Sequence, residues 1–523
     1  MQTRDEFLIK NEELKSLCEN KDYRIRSLEA ENARLQKLND WYLEQLKLSK
    51  KKKFGSSSEK TDDSLQVNLF NEAEATREPI NVEPTIEEIT YKRKKQKGHR
   101  EKLLSELPVE TIEYTLKESE QTCPKCNEKL HVMSKEIRKE LKIIPAQVKV
   151  VEHVSYVYAC RNCEKNDVKV PVITAPSPKA LIQKSLVSPS ILAYIMSQKF
   201  LNAMPLYRQE QEFKRMDILL SRQTMANWVI AGAKLLKPMW DLMKNELVSK
   251  EVLHADETTL EVLCEPDRPA QVNSYMWLYK TAKSDNPIVI YDYKEGRSGD
   301  FPKTFLSDFK GYLMVDGYTG YRKLEPEVKL SCCWAHVRRK FDEALKALPE
   351  KNPESTAAIG LTYCNKLFDI EREIADKSIE ERKDVRQEQS RAVCEAFFSW
   401  AEAESYRVLP KSLIGKAIEY SLKLKKYLLI YLEDGRLELS NNSAEQSIKP
   451  FVIGRKNWLF CNTPAGADSS AIIYSIIETA KANHLKPYEY LKFIFKKIQL
   501  GCDNFNKLLP WESKIPDDLR MKN

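Results

Sequence analysis

The sequence predicts a multidomain α+β protein. Three observations carry that prediction: a leucine-rich heptad pattern near the N-terminus, two C-x2-C pairs among short β-patterned segments, and a second half in which strand and helix patterns alternate before helix takes over. With 523 residues the chain has room for roughly three or four domains of ~150 residues each.

Residues 1–52 read as a self-association helix. Leu14, Leu28, Leu35 and Tyr42 recur at one heptad position and Ile25, Asn32, Asn39 and Leu46 at the other, although Cys18 and Lys21 weaken the first turns. A buried asparagine such as Asn32 fixes register and strand number in a parallel coiled coil. A lone amphipathic helix packed on its own domain is the alternative. Residues 53–100 form a polar and basic linker, and the runs KKKK at 50–53 and KRKKQKGHREK at 92–102, which overlap its two ends, flank an acidic, apolar-poor stretch. Such runs are solvated by default, and phosphate contact is the competing role.

Residues 101–175 are expected to be a small zinc-binding β module. Cys123 and Cys126 are separated from Cys160 and Cys163 by 33 residues that include VKVVEHVSYVYAC. Each pair turns two thiolates toward one ion, and four thiolates close a tetrahedral structural Zn²⁺ site. Reduced, unliganded cysteines are the alternative, and His131 and His153 are spare ligands at best. Residues 176–246 follow with helical periodicity, broken at Pro205 and near Asp217. They resemble a helix-turn-helix DNA-binding region whose recognition helix begins at LSRQTMANWV, with Ser221, Arg222, Gln223 and Asn227 toward phosphates or base edges. Trp228, Val229 and Leu235 fit an ordinary helical core equally well.

The first part of the core, 247–345, opens on a strand in which Val252, His254, Asp256, Thr258, Leu260 and Val262 share a face, followed by the strand patterns YMWLYKTA and PIVIYDYKEG. A short helix leads to GYLMV, ending at Asp316; VKLSCCWA and the helix HVRRKFDEALKAL complete a mixed α/β sheet. Residues 346–436 lack strand signals and read as an all-helical insertion. The second part, 437–500, carries Glu445 on a helix that Ser440 or Asn441 could cap, and 501–523 is a C-terminal tail.

A carboxylate on a strand is most often surface or a salt-bridge partner. Asp256 differs in having apolar neighbours on both sides, and Asp316 in ending a hydrophobic strand before Gly317, where side chains emerge at a sheet edge. Carboxylates so placed can share two Mg²⁺ or Mn²⁺ ions for in-line phosphodiester displacement.

Lys+Arg exceed Asp+Glu by 85 to 77, a formal +8 that permits a polyanionic partner without requiring one. The charged start MQTRDEFLIK has no apolar signal region, and runs such as AIIYSII at 471–477 are too short for a bilayer span. A cytoplasmic protein is expected. Its twelve cysteines then serve as thiols and metal ligands rather than a disulfide framework.

Taken in order, FGSSSEK, YACRNCE, MPLYRQEQEF, LSRQTMANWV, LHADETTLEVL, VDGYTGY, CCWAHVRRKF, SNNSAEQSIKPFVIGRKNWLF and IIETAKANHLKPYEYL resemble the insertion sequence 66 family of transposases, within the DDE group. The resemblance covers nearly the whole chain. It implies a ribonuclease-H-like catalytic core with the triad Asp256, Asp316 and Glu445, metal-dependent cleavage at element ends, and attack of the freed 3′-hydroxyl on target DNA. It also implies phosphate contacts by Arg338, Arg339, Arg455 and Lys456, which could otherwise be surface charges. His336 would orient a water or phosphate, or simply pack or cap. DNA is the implied partner, with a homo-oligomer through the coiled coil, accessory element-encoded proteins in some cases, and action at the bacterial nucleoid. KRKKQKGHREK departs from the Gly-Arg-Lys-Pro-like turn of relatives.

Two other classes compete. One is a dimeric DNA-binding regulator without catalysis, which the N-terminal half alone would allow. The other is a ribonuclease-H-like nuclease that cuts without strand transfer.

Overall fold

The computed structural model describes residues 147–159 and 172–522, except 284, 350 and 351, together with Lys21, Arg24, Ile25, Arg26, Glu29 and Gln36. The cysteines Cys123, Cys126, Cys160 and Cys163, the basic runs and most of the heptads therefore lie outside the described residues. The six N-terminal positions are helical, and Ile25, one of the heptad core positions, is 52% exposed. Residues 147–156 belong to a separate unit and have no regular secondary structure. A short antiparallel pair, β1 (Val157–Ala159) and β2 (Val172–Thr174), precedes the helices.

Three helices follow: α1 (Pro189–Phe200), α2 (Leu206–Arg215) and α3 (Arg222–Val248). Their breaks have local causes. Pro205 stands at the N-cap of α2, where its missing N–H costs nothing, and Asp217 between α2 and α3 adopts φ +59°, a left-handed conformation that aspartate tolerates better than most residues. Ser221 caps α3 by accepting from the Thr224 amide at 3.2 Å. Val229 is buried in the helix's inward face, while Trp228 and Leu235 pack partly buried beside it.

The sheet runs in the order β5-β4-β3-β6-β7. Strands β3 (Val252–Leu260), β4 (Ser274–Thr281) and β5 (Val289–Lys294) form an antiparallel meander. After the short helix α4 (Asp300–Phe305), β6 (Tyr312–Val315) returns parallel to β3, and β7 (Lys329–Cys332) adds parallel to β6. The early part of β3 is buried at Val252, Leu253, His254 and Ala255 alike. Such two-sided burial belongs to a central strand covered on both faces.

Helix α5 (Trp334–Ala347) leads into α6 (Thr356–Glu373), α7 (Ile379–Val385), α8 (Arg391–Ser405) and α9 (Leu413–Lys423). Aromatic packing holds this block together: Trp334 meets Phe397 edge-on at 5.4 Å, Phe341 meets Phe397 at 5.9 Å, and the Trp334 indole donates to the Leu428 carbonyl at 2.9 Å. A single π turn, Arg386–Ser390, interrupts the path from α7 to α8. It turns Arg386 inward, where its side chain is 1% exposed, paired with Glu371 at 2.6 Å and donating to the carbonyls of Tyr431, Asp434 and Leu437. A buried guanidinium needs such complete pairing, and here it ties the helical block to the segment returning to the sheet.

That segment leads into α10 (Asn442–Trp458), which lies over β3 and β4; α11 (Pro464–Ala482) packs on β5 and α3, and α12 (Pro487–Gln499) on α1. Ser475 of α11 joins the layers, accepting from the Tyr291 amide at 2.8 Å and from the Trp240 indole at 3.1 Å.

Candidate active site

Asp256 lies on β3, Asp316 immediately after β6, and Glu445 in the first turn of α10. Each arrives by a local device. The Asp256 carboxylate accepts the amide of its own neighbour Glu257 at 2.8 Å, and Asp316 accepts the Tyr318 amide at 2.8 Å. Gly317 turns the chain with φ +100°, and a Cβ there would sit 2.8 Å from Leu424 and 3.0 Å from the Tyr420 hydroxyl. That hydroxyl donates to the Asp316 carbonyl at 2.6 Å. A side chain at 317 would thus both strain the backbone and displace Asp316.

Glu445 is placed from further away. Asn441 occupies the N-cap position but makes no capping bond with its side chain, which corrects the expected capping role. Its carboxamide reaches across to β3, donating to the Ala255 carbonyl at 2.8 Å and meeting His254 Nδ1 at 3.0 Å, while its amide donates to Cys333 Sγ at 3.1 Å. The bond to the sheet wins because the buried Ala255 carbonyl has no other way to be satisfied beside the helix end, whereas exposed helix amides can use water.

The three acids act on one another. Burial raises Asp256 well above the usual carboxylate range although its side chain keeps a path to solvent, and Glu257, Asp316 and Glu445 push it the same way. Arg339 Nη2 lies 3.3 Å from Glu445 Oε2, and His336 Nε2 lies 3.7 Å from Oε1. Glu445 Oε1 and His336 Nδ1 are buried without a hydrogen-bond partner. Burial lowers the His336 pKa against the pull of Glu445, which favours the neutral imidazole.

Cys333, His336 and Glu445 also bring one ligand atom each within 4.8 Å of one another. Cys333 is a poor ligand there. Burial pushes its thiol up to about 11, and its sulfur already accepts the Asn441 amide, so the thiolate a metal requires is disfavoured. Carboxylate oxygens suit a hard divalent cation better than this thiol does.

The other sequence-derived candidates take varied positions. Arg338 donates to Asn365 at 2.7 Å. Arg455 turns onto β3 and donates to Thr258 at 3.2 Å and to the Thr259 hydroxyl at 3.0 Å; it and Lys456 lie on the last turn of α10. Arg222 and Gln223 are exposed at the start of α3, where the Arg222 amide donates to Glu210 at 3.0 Å and its guanidinium lies 5.7 Å from the Tyr207 ring. Ser221 is exposed, and its hydroxyl accepts the Thr224 amide as the cap of α3.

Sequence reasoning gave no site role to His254, placed on the β3 face, or to Asn441, taken as a cap, and passed over Glu257, Arg297, Tyr318 and Tyr321. Glu257 and Arg297 were detectable only as charges. The histidine between two apolar residues of β3 carried a signal, since a buried polar side chain implies a partner.

The comparisons agree with this architecture. Residues 184–469 match the Transposase IS66 family, 120–164 the zinc-finger binding domain of transposase IS66, 41–112 a segment described as transposase C of IS166 homeodomain, and 475–511 the IS66 C-terminal element. The chain belongs to the IS66 family of transposases. Among its relatives are uncharacterized proteins of Sinorhizobium fredii (strain NBRC 101917 / NGR234). The protein y4hP is 30% identical over 75% of this chain and 73% of its own length, and y4jD is 31% identical over 75% and 78%. No helix among the described residues is long and apolar enough to cross a membrane.

Proposed function

We propose that this chain is a DNA transposase that cuts at the ends of its element and joins the freed 3′-hydroxyl to target DNA, using Asp256, Asp316 and Glu445 as its catalytic acids. The observation that carries the reading is that Asp316 and Glu445 both act electrostatically on the buried Asp256, the three being carried by a central strand, the end of its parallel neighbour and a helix start in a chain of a transposase family. A ribonuclease-H-like core is supported by the mixed sheet, in which an antiparallel meander passes through a helix into two parallel strands.

The residues fit a pair of Mg²⁺ or Mn²⁺ ions. Like charges act on Asp256, and Glu445 Oε1 is buried without a hydrogen-bond partner, so carboxylate oxygens are left to meet a hard cation. When bound, such ions activate an attacking oxygen and stabilise the leaving one. The chain's own residues do the positioning. Asn441 holds the first turn of α10 against β3, Tyr420 and Gly317 hold Asp316, and Arg339 pairs with Glu445 on a side chain 40% exposed, where it can meet a phosphate. Neutral His336, beside Glu445, can donate to or accept from a water at the site. Arg222 and Gln223 at the exposed start of α3 serve element-end contacts, the N-terminal helix serves self-association, and Cys123, Cys126, Cys160 and Cys163 hold a structural Zn²⁺.

The test is a Mg²⁺-dependent cleavage and strand-transfer assay with purified full-length protein, DNA carrying the element's ends and any accessory proteins the element encodes. The expected result is metal-dependent 3′-hydroxyl ends that join to target DNA and are absent with Asp256→Asn. Binding without cleavage would instead mark a regulator, and cleavage without joining a nuclease.

A further inference from the structure

Glu257 follows Asp256 directly on β3. Consecutive strand residues point to opposite faces, so a further carboxylate lies beside the acidic cluster but turned away from it. Its side chain is 1% exposed, and a charge buried to that degree must be paired and hydrogen-bonded.

Arg297, from the loop after β5, supplies the pairing. Its Nε and Nη2 donate to Glu257 Oε1 at 2.8 and 2.5 Å, and the Tyr321 hydroxyl donates to Oε2 at 2.6 Å. The guanidinium is itself held, lying 4.1 Å from the centre of the Tyr318 ring and 5.9 Å from that of Tyr275. The Tyr318 hydroxyl donates to the Arg297 carbonyl, and the Tyr318 amide donates to Asp316. A continuous path therefore runs from Asp256 through Glu257, Arg297 and Tyr318 to Asp316. The two loops also meet through their backbones: a Cβ on Gly299 would fall 2.1 Å from the Gly320 carbonyl oxygen.

We propose that Glu257 and Arg297 form a charge-neutral strut that sets the spacing of Asp256 and Asp316 and keeps Glu257 out of the metal-binding shell, an inference that rests on the metal-site reading above. Both are positioning residues. Because the strut sums to zero, the centre carries the charge of its three acids alone. Breaking either half changes the field at the metal without touching a ligand.

The experiment is calorimetric titration of full-length protein with Mn²⁺, with folding followed by circular dichroism in EDTA. Removing the positive half with Arg297→Gln is expected to tighten Mn²⁺ binding roughly tenfold, and removing the negative half with Glu257→Gln to weaken it by a similar factor. Arg297→Lys, which keeps the charge, and the double variant Glu257→Gln/Arg297→Gln should both return to within about twofold of the wild type, since opposite perturbations of one pair cancel. A double variant as weak as Glu257→Gln would make Glu257 a metal ligand and overturn the strut. Unchanged affinity in Arg297→Gln would overturn it as well, leaving Arg297 a substrate contact. If Arg297→Gln alone fails to fold, the double variant decides between the same two outcomes. Wild-type protein that binds no Mn²⁺, or binding that survives Asp316→Asn, would instead overturn the metal-site reading, and the strut with it.

Discussion

His254 and Asn441, 187 positions apart in sequence, meet at 3.0 Å beneath the candidate active site. Both are fully buried, and the same asparagine donates to the Ala255 carbonyl, one residue before Asp256. The start of the helix that carries Glu445 is thus registered against the strand that carries Asp256 through this asparagine. Asn441→Ala should lose about 1–3 kcal/mol of stability, because the buried Ala255 carbonyl loses its side-chain donor and His254 Nδ1 its 3.0 Å partner. It should also lower cleavage more than it lowers DNA binding. Denaturant unfolding and the two assays side by side check both; unaltered stability would show that the contact is dispensable.

The acids themselves should separate chemistry from folding. Asp256→Asn, Asp316→Asn and Glu445→Gln keep side-chain shape and remove charge, so each is expected to abolish cleavage and leave DNA binding intact. Cleavage retained by any one of them removes that residue from the triad.

Gly317→Ala tests how Asp316 is aimed. The backbone there has φ +100°, and a methyl group would press on Leu424 and the Tyr420 hydroxyl. A cost of about 1–3 kcal/mol is expected from the backbone conformation alone, together with a loss of cleavage from displacement of the carboxylate. A variant with wild-type melting temperature and wild-type activity would show that the turn has no such role.

Arg386 makes the helical block part of the catalytic frame. Arg386→Ala leaves the half-buried Glu371 without its partner and takes a donor from the carbonyls of Tyr431, Asp434 and Leu437, so a loss of about 3–5 kcal/mol is expected. Since Leu437, whose carbonyl accepts from Arg386, lies just before Asn441, cleavage should fall with stability. Urea denaturation gives the first quantity; a change below about 1 kcal/mol would mean the arginine behaves like a surface ion pair.

Cys123→Ser or Cys160→Ser should lower zinc content and destabilise residues 101–175, because three thiolates no longer close the site. Atomic absorption on purified protein decides this, and unchanged zinc content would refute the four-cysteine site.

Much of the core was legible because its signals are local. Alternation marked β3, β4 and β5, the GYLMV run marked β6, and Pro205 and Asp217 stood where α2 and α3 are separated. Asp256 and Asp316 were distinguishable by the apolar residues around them, and Glu445 by the family resemblance. The supporting residues were not. Asn441 looked like a cap because asparagine at a helix start usually is one, and only packing against β3 redirected it.

The sequence by itself therefore determined the order of strands and helices, the candidate acids and the membership of a transposase family, since periodicity, turn chemistry and motif order are properties of neighbouring residues. Tertiary structure alone decided that β6 returns beside β3, that Arg386 and Asn441 bind the helical block and α10 to the sheet, and that Arg297 pairs with Glu257. Those choices depend on which buried polar groups meet across long stretches of chain, and each is forced by the cost of leaving such a group unpaired once water is excluded.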